Sequence, residues 1–261
     1  MIRSPSAFSL YTRFKGLSSK LSAGTFNLSP AMSVPEIIEV LLNKPAEVWV
    51  TLIEGWRVEE MAAKLNKELG ISESEFLKYA KEGYSFPDTY LFAHDATAEQ
   101  IANRLNDTFA ERFSDELKNK MKAQGLRVDE GVILASIVER EARSDKARTE
   151  VASILLKRLK IGMGLNADAT LQYALGYQAD EKSWWKRHLS NEDKKIDSPY
   201  NTYSYRGLPP APIANPGLSS LQAVANADPS TPYLYYYHDS KGNSHYAKTL
   251  DEHNQNVANY P

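Results

Sequence analysis

The sequence contains no cysteine, which excludes structural disulfides, thiolate metal sites and a cysteine nucleophile. This absence does not locate the protein, because cysteine-free chains occur in every compartment. The sequence also lacks a large excess of either charge: 31 lysines and arginines stand against 33 acidic residues, giving a formal net charge of -2. We therefore expect no broad electrostatic attraction to nucleic acid or to an anionic membrane surface.

Long apolar runs are missing as well. No stretch reaches the roughly 18 apolar residues that a transmembrane helix needs, and residues 1–14 lack the apolar core of a cleavable signal peptide. The five histidines show no HExxH spacing, and no GxSxG nucleophile elbow is present. We therefore expect no metal, no cofactor and no serine hydrolase chemistry.

The sequence contains enough hydrophobic residues to form the core of a folded protein. The 261 residues are 42% hydrophobic, which suits one large domain or two unequal ones. Turn residues near Gly83 mark a soft boundary, so the predicted domains are residues 1–83 and 84–261. Helices and antiparallel strands are segregated along the chain, and the predicted class is therefore α+β.

The first part of the chain has an irregular start followed by short elements. A helix is expected after Ser33, its N-cap, and the alternating residues 47–53 predict a half-buried strand. Apolar spacing predicts a helix over 56–69, and a capping box of Ser72 and Glu75 predicts another reaching about residue 81.

The second part of the chain is predicted to be mainly helical until its last thirty or so residues. One long helix should run from Thr97 to about Gln124, ended by Gly125. Two further helices, over 129–143 and 146–159, should pack side by side. Residues 180–215 have neither helical nor strand periodicity, and a loop that long is usually functional or disordered. A hairpin over 233–238 and 244–248 and a closing helix over 251–260 complete the chain.

The predicted helix over 129–143 carries two glutamates at the edges of its apolar face. Glu139 and Glu141 lie on opposite edges of that face, and periodicity cannot choose between them. A carboxyl group at such an edge is commonly a solvated boundary residue. Alternatively it lies half in the core and half in a cleft, where desolvation raises its pKa and lets it carry a proton. The apolar face itself consists of Gly131, Leu134, Ala135, Val138 and Ala142.

The loop over 197–217 is the second candidate for function. Its prolines fix the backbone, and its tyrosines and asparagines offer flat faces and paired donors and acceptors, which suit sugar rings. A rigid strap or linker is the alternative. Trp184 and Trp185 likewise have two interpretations: they form a stacking platform for carbohydrate, or their side chains fill the core.

Three sequence blocks follow one another in the second part of the chain: ILASIVEREA at 133–142, VASILLKRLKIGMGLNADATLQYALG at 151–176 and SPYNTYSYRGLPPAPIANPG at 198–217. Together they resemble the endolytic murein transglycosylase, or YceG-like, family of bacteria. Shorter segments such as AGTFNLSPAMSVPEII, TLIEGWRVEEMAAKL, EGYSFPDTYLF and HYAKTLDEHN extend the resemblance from about Leu21 to Tyr260. The sequence departs from the family pattern at Ser85, Asn166 and Ala211, and the added Cβ at Ala211 bears on how closely a glycan approaches that loop.

The resemblance implies a small LysM-like N-terminal subdomain followed by a larger catalytic domain of helices and antiparallel strands. It assigns the catalytic role to the first glutamate of the SIVERE block, Glu139, rather than to Glu141. The residues predicted to bind substrate are Asn201, Tyr203, Asn215, Asp168 and Gln172. We expect Asn201 and Tyr203 to lie in a cleft with the Glu139 carboxyl.

The implied reaction uses one carboxyl group to cut the MurNAc–GlcNAc bond of nascent strands, leaving 1,6-anhydro-MurNAc ends. Two rival functions remain: a hydrolase that pairs Glu139 with a second carboxylate such as Asp168, and a non-catalytic peptidoglycan-binding scaffold. The expected partners are glycan strands and the cell-wall synthesis machinery. Family members have one N-terminal transmembrane helix, so we expect such a helix to precede this chain and to hold the catalytic part outside the cytoplasm.

Overall fold

The computed structural model describes residues 4–21, 24–43 and 46–261. The described residues form eleven α-helices, four β-strands and one 3-10 turn, Asp193–Lys195. The helices are α1 (Pro5–Phe14), α2 (Val34–Leu42), α3 (Val58–Leu69), α4 (Glu73–Phe76), α5 (Ala98–Arg112), α6 (Asp115–Ala123), α7 (Val128–Glu141), α8 (Asp145–Lys160), α9 (Asp168–Leu175), α10 (Leu218–Ala225) and α11 (Leu250–Asn259). The strands are β1 (Glu47–Thr51), β2 (Thr89–Ala93), β3 (Tyr235–His238) and β4 (Ser244–Ala247).

A small core forms around the antiparallel pair β1 and β2, in which Thr51 lies opposite Thr89. Because side chains alternate along a strand, Val50 and Tyr90 point into the core while their neighbours are exposed. Helices α3, α4 and α5 cover that inner face. The predicted boundary at residue 83 precedes β2 and α5, and both of these elements contribute to this core.

A larger core surrounds α7. Every residue from Gly131 to Val138 is buried, because α6, α8, α9 and α10 all contact this helix. The predicted side-by-side packing of α7 and α8 is confirmed. The two strands β3 and β4 form the predicted hairpin, with His238 opposite Ser244, and α11 closes the chain. The protein is therefore α+β and mostly helical.

Several predicted elements differ from the structure. The single helix expected over 97–124 is two helices, because Ser114 caps α6 and Phe113 turns into the larger core. The helix expected to reach residue 81 ends at Phe76, and strand β2 was not predicted. The start of the chain is not irregular, since α1 begins after an N-cap at Ser4; residues 1–3 and Ala23 lie outside the described residues.

The predicted N-cap of α2 is confirmed: the backbone N–H of Ser33 donates to Glu36 at 2.6 Å. No helix within the described ranges combines the length and the apolar character needed to cross a membrane.

Candidate functional site

The last turn of α7 carries both glutamates, and their surroundings differ. The helix starts after Arg127, whose backbone N–H donates to Glu130 Oε2 at 2.8 Å, and ends where Ala142 becomes extended. Glu139 lies against α8 and α10, whereas Glu141 lies against α9 and β3. The two edges of the apolar face therefore meet different parts of the larger core.

The Glu139 carboxyl group accepts from several donors. Its Oε1 accepts from Arg148 Nη2 at 3.0 Å, and its Oε2 accepts from the backbone N–H of Gly217 at 2.9 Å and from Ser220 Oγ at 2.8 Å. Gly217 is the N-cap of α10, so the positive end of that helix also favours a negative charge there. The Glu139 side chain is only 4% exposed.

Glu54 of the small core approaches the same ion pair. Its carboxylate lies 3.9 Å from Arg148 Nη2, and burial, followed by the charge of Glu139, raises the pKa of Glu54. A Cβ at Gly217 would meet the Glu54 carboxyl, so an alanine at this position would require that half-exposed side chain to shift. This cluster joins the two cores.

Glu141 is partly buried and accepts from two donors. Its Oε2 accepts from the Tyr236 hydroxyl at 3.0 Å, and its Oε1 accepts from the backbone N–H of Ala169 at 3.3 Å. Burial raises the pKa of Glu141, and the nearby charge of Asp168 raises it further, against the opposing effect of the two hydrogen bonds. Glu141 can therefore carry a proton at a pH where an exposed glutamate is ionised.

Glu141 lines two cavities. The first, which we call the tyrosine cavity, has a volume of about 470 Å³ and is lined by Asp168, Tyr203, Tyr235 and Tyr237 among others. The second, the Arg143 cavity, has a volume of about 490 Å³ and lies between the start of α8 and the β3–β4 hairpin. Glu141 and His238 are the residues common to both.

A cavity of about 530 Å³ lies elsewhere, between the start of α7 and the loop at Pro209 and Pro210. Its carboxylates, Asp129 and Glu130, are bound to Arg127 at the surface. Because it contains no buried acid, we place the candidate site at Glu141 despite the slightly larger volume here.

Two of the predicted substrate-binding residues lie at the tyrosine cavity. The Tyr203 hydroxyl donates to Asp168 Oδ1 at 2.5 Å, and both residues line the cavity beside Glu141. Burial and the hydrogen bond to Asp168 raise the pKa of Tyr203, so its hydroxyl stays protonated. A hydroxyl and a carboxylate are thus available to a ligand at this position.

Asn201 does not face either cavity. It is fully buried, its amide donates to the carbonyls of Lys194 and Ile196 at 3.0 and 2.9 Å, and its Oδ1 accepts from the backbone N–H of Tyr203 at 3.1 Å. Gln172 similarly donates to the carbonyl of Lys186 at 2.7 Å. These amides hold the loop in shape, and Asn201 orients Tyr203.

Asn215 connects the two cores. Its Oδ1 accepts from the backbone N–H groups of Gly83 and Ser85 at 2.9 and 3.1 Å, and its Nδ2 donates to Trp56 O at 3.0 Å and to Glu82 Oε1 at 2.8 Å. Burial raises the pKa of Glu82 to about 8. Asn215 therefore has all its hydrogen bonds inside the protein.

The tryptophan pair also packs inward. Trp185 is 8% exposed, its Nε1 donates to Glu60 Oε2 at 2.9 Å, and the Arg140 guanidinium lies 3.7 Å from its ring centre. Trp184 packs against Arg57 at 4.4 Å. Of the two interpretations of this pair, the structure favours a plug of the core for Trp185.

The described ranges contain no group of three or more histidine, aspartate or glutamate side chains arranged to hold a metal ion.

Comparison with known proteins relates the whole chain to one family. The model of the YceG-like family matches residues 1–259. A Bacillus subtilis protein named endolytic murein transglycosylase is 32% identical over 291 aligned positions, which cover all of this chain and 78% of the relative. A Streptococcus pneumoniae protein of the same name is 27% identical; the match covers 97% of this chain and 53% of that relative.

A solved structure supports the same relationship. The 2.6 Å crystal structure described as a YceG-like protein from Listeria monocytogenes superposes with a TM-score of 0.76 at 28% identity. The superposition covers 97% of this chain and 90% of the Listeria chain.

Proposed function

Because this chain belongs to the YceG-like family, we propose that it is an endolytic murein transglycosylase, an enzyme that cuts peptidoglycan glycan strands internally. Relatives with that name match over nearly the whole chain. The observation that carries the proposal is the position of Glu141, whose carboxyl group lies where two cavities of similar volume meet. A strand that occupies both cavities would be cut within its length.

In the proposed reaction, Glu141 is the single acid and base. Its protonated carboxyl donates to the oxygen that links MurNAc to GlcNAc. The resulting carboxylate then takes the proton of the MurNAc 6-hydroxyl as that oxygen closes onto C1. The MurNAc–GlcNAc bond breaks, a 1,6-anhydro-MurNAc end forms and no water is consumed.

The geometry favours Glu141 over Glu139, the glutamate expected from the family resemblance, for this role. A general acid must hold a proton before it can donate one. Glu141 lines both cavities and burial raises its pKa, whereas the Glu139 carboxyl group is bound by Arg148, Gly217 and Ser220 and lines neither of these cavities. We therefore propose that Glu139 is a structural ion-pair residue that joins α7, α8 and α10.

Asp168 and Tyr203 supply the remaining polar groups of the site. The transition state of glycoside cleavage carries positive charge on the sugar ring, and the Asp168 carboxylate is placed to stabilise that charge. Tyr203 donates to Asp168 at 2.5 Å and thereby fixes its orientation. Asn201 contributes indirectly, because its Oδ1 accepts from the backbone N–H of Tyr203 and so holds that residue in place.

The position of Asp168 also favours a second candidate function. A hydrolase with two carboxyl groups would use Glu141 as the acid and Asp168 as nucleophile or base. Both residues line the tyrosine cavity, so the geometry permits this chemistry. The two reactions differ in their products, because hydrolysis adds water and leaves a reducing end.

The experiment is product analysis of the purified protein on uncrosslinked glycan strands. Mass spectrometry should find ends lighter by one water than the reducing ends made by a muramidase run in parallel. Reducing ends would instead establish the hydrolase. Binding without any cleavage would establish a non-catalytic scaffold.

We also propose that the LysM-like part, expected over residues 1–83, has β1, α3 and α4 at its centre and extends to the end of β2 at residue 93. The order strand, helix, helix, strand with β1 paired to β2 supports this. Because the substrate is cell-wall glycan, the site would act outside the cytoplasm.

A further inference from the structure

Arg158 of α8 is a buried cation that the reaction proposed above does not use. It is only 6% exposed. Its Nε donates to the carbonyl of Leu234 and its Nη1 to the carbonyl of Leu165, both at 2.7 Å, and its guanidinium has no other hydrogen-bond or ion-pair partner among the described residues. Because a buried charge is costly unless it is paired or fully hydrogen-bonded, the remaining donors of Arg158 point to a bound group.

The unpartnered nitrogen of Arg158, Nη2, is accessible from the tyrosine cavity. Arg158 lines that cavity, and Nη2 is not one of the unpartnered polar atoms that the protein encloses completely. The cavity volume of about 470 Å³ lies within the range of about 300 to 1,000 Å³ that is typical of small-molecule sites. Arg158 can therefore donate a hydrogen bond to a ligand in this cavity.

The charges around the cavity limit the kind of group that Arg158 can bind. Glu141 and Asp168 line the same cavity, and Asp168 is exposed, so an anionic group would be repelled by a carboxylate. An ammonium group would be repelled by the guanidinium. Burial lowers the pKa of His238 and of His253, so neither ring adds a charge at neutral pH. The group that fits is a neutral one with an acceptor oxygen.

Apolar surface lies beside the guanidinium. The centre of the Tyr235 ring is 5.2 Å from the central guanidinium carbon of Arg158, and Leu250, at the start of α11, lines the cavity and is 54% exposed. A group that joins a carbonyl oxygen to a methyl would meet both the donor and this surface. The acetamido group of an amino sugar has that composition, whereas a sugar hydroxyl lacks the methyl.

We propose that the tyrosine cavity recognises an acetamido group of the glycan strand, with Arg158 Nη2 donating to its carbonyl oxygen and Tyr235 and Leu250 contacting its methyl. This inference rests on the proposed function, because it takes the glycan strand as the ligand. It requires that one sugar of the strand occupies the tyrosine cavity, and it is independent of which carboxyl group cuts the strand. Arg158 is then a specificity-determining residue.

The proposal predicts which sugars bind poorly. A hydrogen bond to a charged group corresponds to at least about tenfold in affinity. A sugar with a hydroxyl in place of the acetamido group loses the carbonyl acceptor and the methyl. A sugar with a free amine loses them as well and places an ammonium group beside the guanidinium. Strands from which acetyl groups have been removed should therefore bind weakly.

The test compares three hexamers with the same β-1,4 linkage, made of GlcNAc, glucose or glucosamine. None contains the MurNAc–GlcNAc bond, so Kd is measured by calorimetry without cleavage. The first variant is Arg158→Lys, which keeps the charge but loses the planar set of donors. Its control is Lys160→Gln, which removes an exposed cation of the same helix that lines a different cavity.

A second variant avoids any disturbance of the core. Leu250→Ala shortens an exposed side chain that lines the cavity. Val257→Ala is the matched control, because Val257 is 42% exposed on the same helix and does not line the cavity. The melting temperature of every variant is measured in parallel.

We expect the wild type and Lys160→Gln to bind the GlcNAc hexamer at least about tenfold more tightly than either other hexamer. Arg158→Lys should lose most of this preference. Leu250→Ala should weaken binding of the GlcNAc hexamer about three- to fourfold, as expected for one lost methyl contact, with no change in Tm or in binding of the glucose hexamer. Val257→Ala should change none of these values.

Three results would overturn the inference: equal affinity for the three hexamers, no binding of the GlcNAc hexamer, or an unchanged preference in a folded Arg158→Lys protein. If Arg158→Lys does not fold, Leu250→Ala decides in the same way. The outcome is separable from that of the proposed function. A protein that prefers the GlcNAc hexamer but leaves peptidoglycan strands uncut would keep this inference and defeat the proposed function, and cleavage without the preference would do the reverse.

Discussion

The ion pair between Glu139 and Arg148 should be needed for stability, and Glu139→Gln measures this. Removing one partner of a buried ion pair costs about 3 to 5 kcal/mol. The side chains here are 4% and 12% exposed, and Arg148 retains Asp145 at 3.3 Å and Glu54 at 3.9 Å. We therefore expect a smaller loss, about 2 to 3 kcal/mol.

The geometry explains why glutamine cannot substitute for this glutamate. If its oxygen accepts from Gly217 and Ser220, its NH₂ group meets the Arg148 guanidinium, and a donor then faces a donor. Thermal unfolding followed by circular dichroism should show a fall in Tm of about 5 to 10 °C. Adding Arg148→Met to Glu139→Gln should restore part of the loss, because the buried guanidinium is removed with its lost partner, while Asp145 and Glu54 are exposed enough to be solvated.

A surface pair on the same helix is the control. Asp129→Asn removes the partner of Arg127 at 2.8 Å, where both side chains are more than half exposed, and should cost less than about 1 kcal/mol. If Glu139→Gln and Asp129→Asn have the same small effect, the structural role assigned to Glu139 is refuted.

Three other changes have defined outcomes. Asn201→Ala removes the amide donor of two part-buried carbonyls, so calorimetry should show a loss of about 1 to 3 kcal/mol; an unchanged Tm would mean that the amide is dispensable. Gly217→Ala should lower Tm through the collision with Glu54, and Glu54→Ala should reverse most of the loss if that collision is the cause. Burial raises the pKa of Glu82 from 4.5 to about 8, so the folded chain holds this proton more tightly and the unfolding free energy should fall as pH rises between those values. Glu82→Gln should flatten that dependence in urea titrations, and an unchanged slope would contradict it.

The elements that were predicted correctly are those specified by local pattern. The apolar spacing of α7 and α8 and the alternation of β3 and β4 depend on neighbouring residues alone. The break between α5 and α6 depends on Phe113 entering the larger core. Strand β2 depends on pairing with β1 from about forty positions earlier in the chain. Neither contact can be inferred from the few residues on either side of it in the sequence.

The candidate site was predictable only in part for the same reason. Periodicity places Glu139 and Glu141 on opposite edges of α7, but their chemistry is decided by whether α10 or β3 docks beside them. Tyr236 and Arg148, which give the two carboxyl groups different environments, lie on other elements. Asp168 and Tyr203 were expected to bind substrate and lie beside Glu141, whereas the buried amides of Asn201 and Asn215 resemble exposed ones in the sequence.

The central claim is that Glu141 is the acid and base, and the matched pair Glu141→Gln and Glu139→Gln tests it. Both variants change one carboxyl group to an amide on the same helical turn. The measurement is single-turnover cleavage of uncrosslinked glycan strands, below the Tm of both variants. We expect Glu141→Gln to lose cleavage by at least about 10²-fold with a Tm near that of the wild type, because the glutamine amide can donate to the Tyr236 hydroxyl oxygen while its own oxygen accepts from Ala169. Glu139→Gln should retain most of its cleavage despite its lower Tm. Loss of cleavage in a folded Glu139→Gln protein, with turnover retained in Glu141→Gln, would contradict the account.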